Sequence, residues 1–179
     1  MDFGKDKLVK KAIKGNKSAF EQLIKQHYEQ IYRTAYLYVH NEEDALDVVQ
    51  DVTYQAFTSI HSIKHPEYFM TWLTKIIIRC SGQIIKRRNI VIPLTDQILT
   101  NLSVTDHSGL GESMELLDAI GQLKENYRTA IILFYYYDYS IKTISDMMGI
   151  PEGTVKTHLS RGKADLKKSY KKGEDECHG

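Results

Sequence analysis

Apolar residues recur every three or four positions along the first half of the chain, a period that predicts helices and not strands. Leu8, Val9, Ala12 and Ile13 mark a first helix, which breaks at Gly15-Asn16. Ser18 with Glu21 reads as a capping box opening the next helix, whose apolar face is Phe20, Leu23, Ile24, Ile31, Ala35 and Val39 and which ends near His40. Asn41, followed by Glu42, Glu43 and Asp44, sets a cap and three carboxylates at a helix start, where the dipole favours negative charge. Ala45, Val48, Val49, Val52, Ala56, Phe57 and Ile60 then carry a third apolar face. After a loop over residues 61–66, the positions Phe69, Trp72, Leu73, Ile76, Ile77, Cys80, Ile84 and Ile85 predict a fourth helix running into Lys86-Arg87-Arg88. Four helices sharing one apolar core account for this half.

From Val91 to Gly111 the period is lost among Pro, Thr, Asp, Asn, Ser and Gly, and no basic residue occurs, which reads as a linker. Helical spacing returns with Met114, Leu117, Ile120 and Leu123, breaks near Lys124-Glu125-Asn126, and resumes through Ala130, Ile131, Leu133, Phe134 and Tyr137. Two shorter helices are expected after Asp138-Tyr139-Ser140. The predicted fold class is all-α, with two small helical domains joined by a flexible linker. Residues 1–92 form the first domain, 93–112 the linker, 113–172 the second domain and 173–179 a disordered tail. In Tyr135-Tyr136-Tyr137 with Tyr139, alternate rings are expected to be buried and exposed.

Composition narrows the class. The 179 residues carry 24 Lys+Arg against 23 Asp+Glu, a formal net charge of +1, but the charge is unevenly spread. From Tyr68 to Thr95 there are five basic residues and no acid; from Gly153 to Lys172 there are seven basic residues and one acid. Two cationic patches in an otherwise balanced chain are the footprint of a nucleic-acid partner. No apolar run approaches the roughly 18–20 residues of a membrane span, and the opening MDFGKDKLVKK lacks the apolar core of a signal peptide, so direct membrane insertion is not expected and the expected location is cytoplasmic. Cys80 and Cys177 are expected as reduced thiols. His61 and His65 stand four apart, and Cys177-His178 are adjacent, but neither pair has two further ligands nearby, so no metal site is expected. With no phosphate loop, nucleophile elbow or paired carboxylates, neither an enzyme nor a cofactor is implied.

The segment IKTISDMMGIPEGTVKTHLSR, residues 141–161, carries the most specific pattern. Ile144 and Ser145 give a short helix one apolar and one small residue, Gly149 allows a sharp turn, and Ile150 plugs the gap. Pro151-Glu152-Gly153-Thr154 then starts a second helix that buries Val155 and Leu159 and turns Lys156, Thr157, Ser160 and Arg161 outward. That is the design of a helix-turn-helix, whose second helix reads bases and grips phosphates. The plainer alternative, a helical hairpin with a solvated basic face, does not explain the turn glycine, the small residue and the buried Val/Leu pair together.

The block YRTAIILFYYYDYSIKTISDMMGIPEGTVKTHLSRGKADLKK resembles the C-terminal DNA-binding domain of extracytoplasmic-function (ECF) sigma factors, small two-domain members of the sigma-70 family of bacterial RNA polymerase subunits. DALDVVQDVTYQAF, Asp44 to Phe57, is similar to the family's helix that binds core polymerase; YFMTWLTKIIIRCSGQIIKRR, Tyr68 to Arg88, is similar to its promoter-melting helix. The resemblance implies a sigma-2-like four-helix domain, a sigma-4-like helix-turn-helix domain, and a non-enzymatic role in directing core RNA polymerase to promoter DNA and assisting its melting. The family's usual regulator, an anti-sigma factor, is a further candidate partner.

The same resemblance assigns sites. Asp44, Asp47, Gln50 and Asp51 would meet a coiled coil of the polymerase's large subunit, although Asp44 alone is explained by the helix dipole. The loop over residues 62–68 would capture an unstacked base, with His65 and Tyr68 as stackers, while Arg79, Gln83, Lys86 and Arg87 would follow phosphates and base edges. Phe69 and Trp72 are expected in the core. Gly153, Thr154, Lys156, Thr157, Ser160 and Arg161 would contact the upstream element, with Lys156 and Arg161 able to reach guanine and the amides of Gly153 and Thr154 offered to a phosphate. Arg79 and Gln83 stand where the family commonly has Asn and Asp, Lys124 where a Pro is usual, and His158 where Arg is frequent; these departures bear on which promoter is preferred. The competing class is a stand-alone helix-turn-helix regulator, which would bind duplex DNA as a dimer without polymerase.

Overall fold

The computed structural model describes the backbone of residues 3–91 and 111–176 and the side chains of residues 7–88 and 116–169. Among these residues there is no strand. The helices are α1 (Phe3–Ile13), α2 (Lys17–Val39), α3 (Glu42–Ser59), α4 (Phe69–Val91), α5 (Gly111–Gln122), α6 (Glu125–Ile131), α7 (Ile141–Met148) and α8 (Glu152–Glu176). Contacts divide the chain into two compact units, Met1–Ile84 and Ile85–Gly179, a division that falls inside α4. Of the predicted linker, all but Gly111 and Glu112, which open α5, lies outside the described residues. Of the predicted tail, residues 177–179 lie outside them, and residues 173–176 continue α8 as helix.

In the first unit, α2 packs against both α1 and α3. Val9 and Ala12 of α1, Leu23, Ile31 and Ala35 of α2, Ala45, Val48, Val52 and Ala56 of α3, and Phe69, Leu73, Ile77 and Cys80 of α4 are all buried. Two buried hydroxyls are satisfied locally: Thr34 donates to the Gln30 carbonyl and Thr74 to the Met70 carbonyl, each at 2.8 Å. The Asn41 cap is as predicted, its side-chain oxygen accepting from the Asp44 amide at 2.9 Å. The start of α2 differs from prediction. Gly15 takes a left-handed φ of 89°, and Asn16 becomes the cap, accepting from the Ala19 amide at 2.9 Å. Ser18 therefore sits within the first turn, not at its cap. Phe57 is also not core: it is 46% exposed, edge-on to Phe20 with ring centroids 5.3 Å apart. Trp72 is half-buried, its ring 5.9 Å from that of buried Phe69.

In the second unit, α8 packs against α5, α6 and α7. Its core holds Ala119, Leu123, Ala130, Ile131, Ile132, Leu133, Ile144, Val155 and Leu159. Arg128 ties α5 to α6, its Nη2 donating to the carbonyls of Gly121 and Leu123, the latter at 3.0 Å; a cation here satisfies carbonyls that the helix end leaves open. After α6 the backbone widens into a π-helical turn over Ile132–Tyr136. That turn undoes the expected alternation of tyrosines: Tyr135 and Tyr136 are exposed, and Tyr137 and Tyr139 are half-buried and stacked on one another at 5.3 Å. The last helix is long, not short, at 25 residues.

Leu73 is fully buried, and its truncation leaves a hole that rigid neighbours fill only in part. Leu73→Ala is expected to destabilise the first unit by about 2–5 kcal/mol, measured by urea unfolding.

Candidate nucleic-acid and polymerase interface

The helix-turn-helix is built as its residues require. Ser140 caps α7, its hydroxyl oxygen accepting from the Thr143 amide at 3.1 Å. Gly149 ends α7 in the left-handed region at φ 66°, and its amide donates to the Ser145 carbonyl. The small residue at 145 has a second use: its hydroxyl donates to the Ile150 carbonyl at 2.5 Å and so staples the turn. Pro151 opens α8, its carbonyl accepting from the amides of Thr154 at 2.9 Å and Val155 at 3.1 Å. Thr154's amide, expected to be offered to a phosphate, is thus engaged within the protein. Val155 and Leu159 are buried, while Gly153, Lys156, Thr157, Ser160 and Arg161 are exposed along α8 and Thr154 is half-buried. Thr157's hydroxyl donates to the Gly153 carbonyl at 2.9 Å, so it meets an outside partner as an acceptor unless that bond is exchanged.

Behind this face α6 approaches α8 at Gly162, which is buried. A Cβ on Gly162 would lie 3.0 Å from Ile131 Cγ1 and 3.4 Å from Tyr127 Cβ, so the helices meet closely here and an added methyl would have to push the Ile131 side chain back by a few tenths of an ångström. Tyr127 packs its ring 5.4 Å from that of His158 and accepts a hydrogen bond from Arg161 Nη1 at 3.4 Å. That bond, followed by electrostatic attraction to the same oxygen, raises the already high pKa of Arg161. Lys163, next along the helix, lies over the Tyr135 ring at 5.9 Å. Tyr127 and Gly162 were not singled out by the sequence.

In the first unit, His65 and Tyr68 are brought together and both exposed, with ring centroids 6.0 Å apart at 73°. The stretch from residue 60 to 68 is held open as two 3-10 turns, Ile60–Ser62 and Pro66–Tyr68, anchored by buried Ile60 and Ile63. His65 Nδ1 lies 3.4 Å from Glu67 Oε1. On α4, Arg79 is exposed and Gln83 half-buried one turn later; Lys86 and Arg87 are exposed in the helix's last turns.

On α3, Gln50 is exposed on the side away from the buried Val48 and Val52, Asp47 is exposed, and Asp44 and Asp51 are half-buried at the edge of the buried face. Sequence reasoning missed what lies beside them. Leu46 at 41% and Tyr54 at 70% exposure join Gln50 at intervals of four residues, and Gln50, Tyr54 and Phe57 with Phe20 line a groove of about 550 Å³. The i, i+4, i+8 spacing of Leu46, Gln50 and Tyr54 was the available signal. Tyr32 of α2 reaches the acidic start of α3, and its hydroxyl pKa is raised by burial first and by the Glu42 charge second. Among the described residues no three His, Cys, Asp or Glu side chains gather into a metal-ligating group, and no helix is long and apolar enough to cross a membrane.

A helix-turn-helix with an outward cationic face, in a chain whose other unit carries an acidic helix and an exposed His–Tyr pair, is the arrangement of a DNA-binding transcription protein. Residues 23–89 match the Sigma-70 region 2 family and residues 113–166 match Sigma-70 region 4. The chain is 31% identical over 140 residues to RNA polymerase sigma factor SigV of Bacillus subtilis, covering 77% of this chain and 82% of that protein. It is 28% identical over 179 residues to ECF RNA polymerase sigma factor SigW of the same organism, covering 92% and 96%. In fold it is similar to CnrH, solved with the cytosolic domain of CnrY (TM-score 0.68, 21% identity, 91% of this chain and 94% of that chain). The sigma factor RpoE, solved with the anti-sigma factor NepR from Bartonella quintana, is similar too (TM-score 0.61, 21% identity, 85% and 96%). The chain belongs to the sigma-70 family of RNA polymerase sigma factors, in its ECF group.

The Gly162 contact sets a testable limit. Val at this position would gain less than the ~1 kcal/mol of helix propensity that Ala gains over Gly, while its side chain would press into buried Ile131. Overpacking of that kind costs about 1–3 kcal/mol, so Gly162→Val is expected to lower the stability of the second unit in a denaturant titration.

Proposed function

We propose that this chain docks on core RNA polymerase through α3 and carries the enzyme to promoters whose upstream element is read by α8 and whose downstream element is opened beside His65 and Tyr68. The observation that carries the reading is the coexistence, in one chain of this family, of a helix-turn-helix with an exposed cationic face and a separate acidic helix face flanked by exposed apolar side chains. In the docking surface, Asp47, Gln50 and Asp51 supply charge and hydrogen bonding, and Leu46, Tyr54 and Phe57 supply apolar area, the combination that stable interfaces need at their rim and centre. Asp44 serves the start of its own helix.

Melting requires faces for unstacked bases and cations for the released strand. His65 and Tyr68 are the exposed pair able to stack; Arg79, Lys86 and Arg87 neutralise phosphate, and Gln83 adds an amide at base-edge reach. At the upstream element Arg161 and Lys156 read base edges, Ser160 and Thr157 add hydroxyl contacts, and the Gly153 amide holds a phosphate. No step makes or breaks a covalent bond in the chain's own hands, and no cofactor is called for. The site of action is the cytoplasm, where the polymerase is, and an anti-sigma factor that covers either surface would be its natural antagonist.

Run-off transcription with purified core polymerase, using the promoter of the chain's own gene as template, tests the whole reading. A transcript that needs both core and this chain is expected; tight duplex binding by the chain alone, with no core-dependent transcript, would instead identify a stand-alone regulator. Reversing the exposed charge, Asp47→Lys, is expected to weaken core binding by roughly tenfold, with thermal unfolding unchanged. Lys86→Ala is expected to reduce binding of the core-bound form to all promoters alike and to lower the slope of log affinity against log salt by about 1.

A further inference from the structure

We propose that Tyr127 is a positioning residue for promoter recognition: it holds Arg161 in the orientation from which that side chain reads its base pair. The inference rests on the reading of Arg161 as a base contact. Tyr127 lies on α6, outside the recognition helix and 34 residues from Arg161, yet three contacts converge on it. Its Cβ packs beside Gly162 on the surface of α8. Its ring is set against His158, one turn before Gly162. Its hydroxyl accepts from Arg161 Nη1 at 3.4 Å.

The first two contacts fix the phenol in place, and the third transmits that placement to the guanidinium. An exposed arginine otherwise samples many rotamers, and the freedom it loses on binding subtracts from affinity and from discrimination. A guanidinium is a planar fork, so one bond to a fixed oxygen restricts the plane of the whole group. The Nη2 protons and the remaining Nη1 proton stay available for the paired acceptors of guanine, O6 and N7. Tyr127 itself touches no DNA and acts only through Arg161.

Tyr127→Phe removes the hydroxyl while keeping the ring on His158 and the contact at Gly162. The test uses holoenzyme assembled from core polymerase and the full chain, selecting transcribed templates from a library in which the upstream segment of the chain's own promoter is randomised. Wild type, Tyr127→Phe, Arg161→Ala and the double variant are compared, with thermal unfolding of each. Tyr127→Phe is expected to unfold as wild type does and to lose roughly three- to tenfold in preference at the one base pair where Arg161→Ala loses its preference, and the double variant to match Arg161→Ala alone. An unchanged preference, a uniform loss across all positions, or a loss in the double variant that exceeds Arg161→Ala would each overturn the proposal. If wild-type holoenzyme itself selects no upstream sequence, the reading of Arg161 falls and this inference with it.

Discussion

Burial of one face of α3 is the constraint on which the docking proposed for that helix depends. Ala45, Val48, Val52 and Ala56 are inaccessible to solvent, and a helix held so completely on one side has no freedom to roll. The orientation of Asp47 and Gln50 is therefore decided by valines and alanines that never meet a partner. Small and β-branched residues suit this duty because they lose little rotamer freedom on packing. Asn41 sets where the helix begins, which fixes the phase of every side chain after it.

The second unit solves the same problem with different means. A recognition helix must expose a polar face along much of its length, so less of it is available for packing, and α8 packs its buried face against α5, α6 and α7. Backbone closeness replaces side-chain bulk at Gly162, while the Ser145 hydroxyl and the left-handed Gly149 pin the connection from α7. Arg128 spends its charge inside the unit, on the end of α5, although by sequence it is one more cation in a chain where cations suggest DNA.

Features governed by chemistry within one helical turn were legible in the sequence. The Asn41 cap, the Gly149 turn, and the buried pair Val155 and Leu159 all follow from local spacing and backbone preference. The opening of α2 was misread because two cap sequences compete there and the left-handed Gly15 decides in favour of Asn16, a choice that depends on how the chain arrives from α1. Phe57 departs from expectation because its apolar character outweighs its phase in the sequence: it stands three positions after Tyr54 and seven after Gln50, on their exposed side of α3 and out of step with Val48, Val52 and Ala56. The tyrosine run was misread because a π-helical turn changes the angle per residue, so rings counted at the α-helical period land on other faces. Among the site residues, exposure of the α8 face was readable, but the tie between Tyr127 and Arg161 joins two helices far apart in sequence and leaves no periodic trace.

On α8 the residues that stabilise the fold and those that face outward are almost wholly different sets: Val155, Leu159 and Gly162 on one side, Lys156, Thr157 and Ser160 on the other. Such a division lets a lineage retarget the helix to new operator sequences by exchanging outward residues one at a time, with little penalty to the scaffold. Arg161 is the exception, because it also bonds the Tyr127 hydroxyl on α6. Retargeting at that position would therefore be expected to proceed through paired changes, making 127 and 161 a linked couple during divergence.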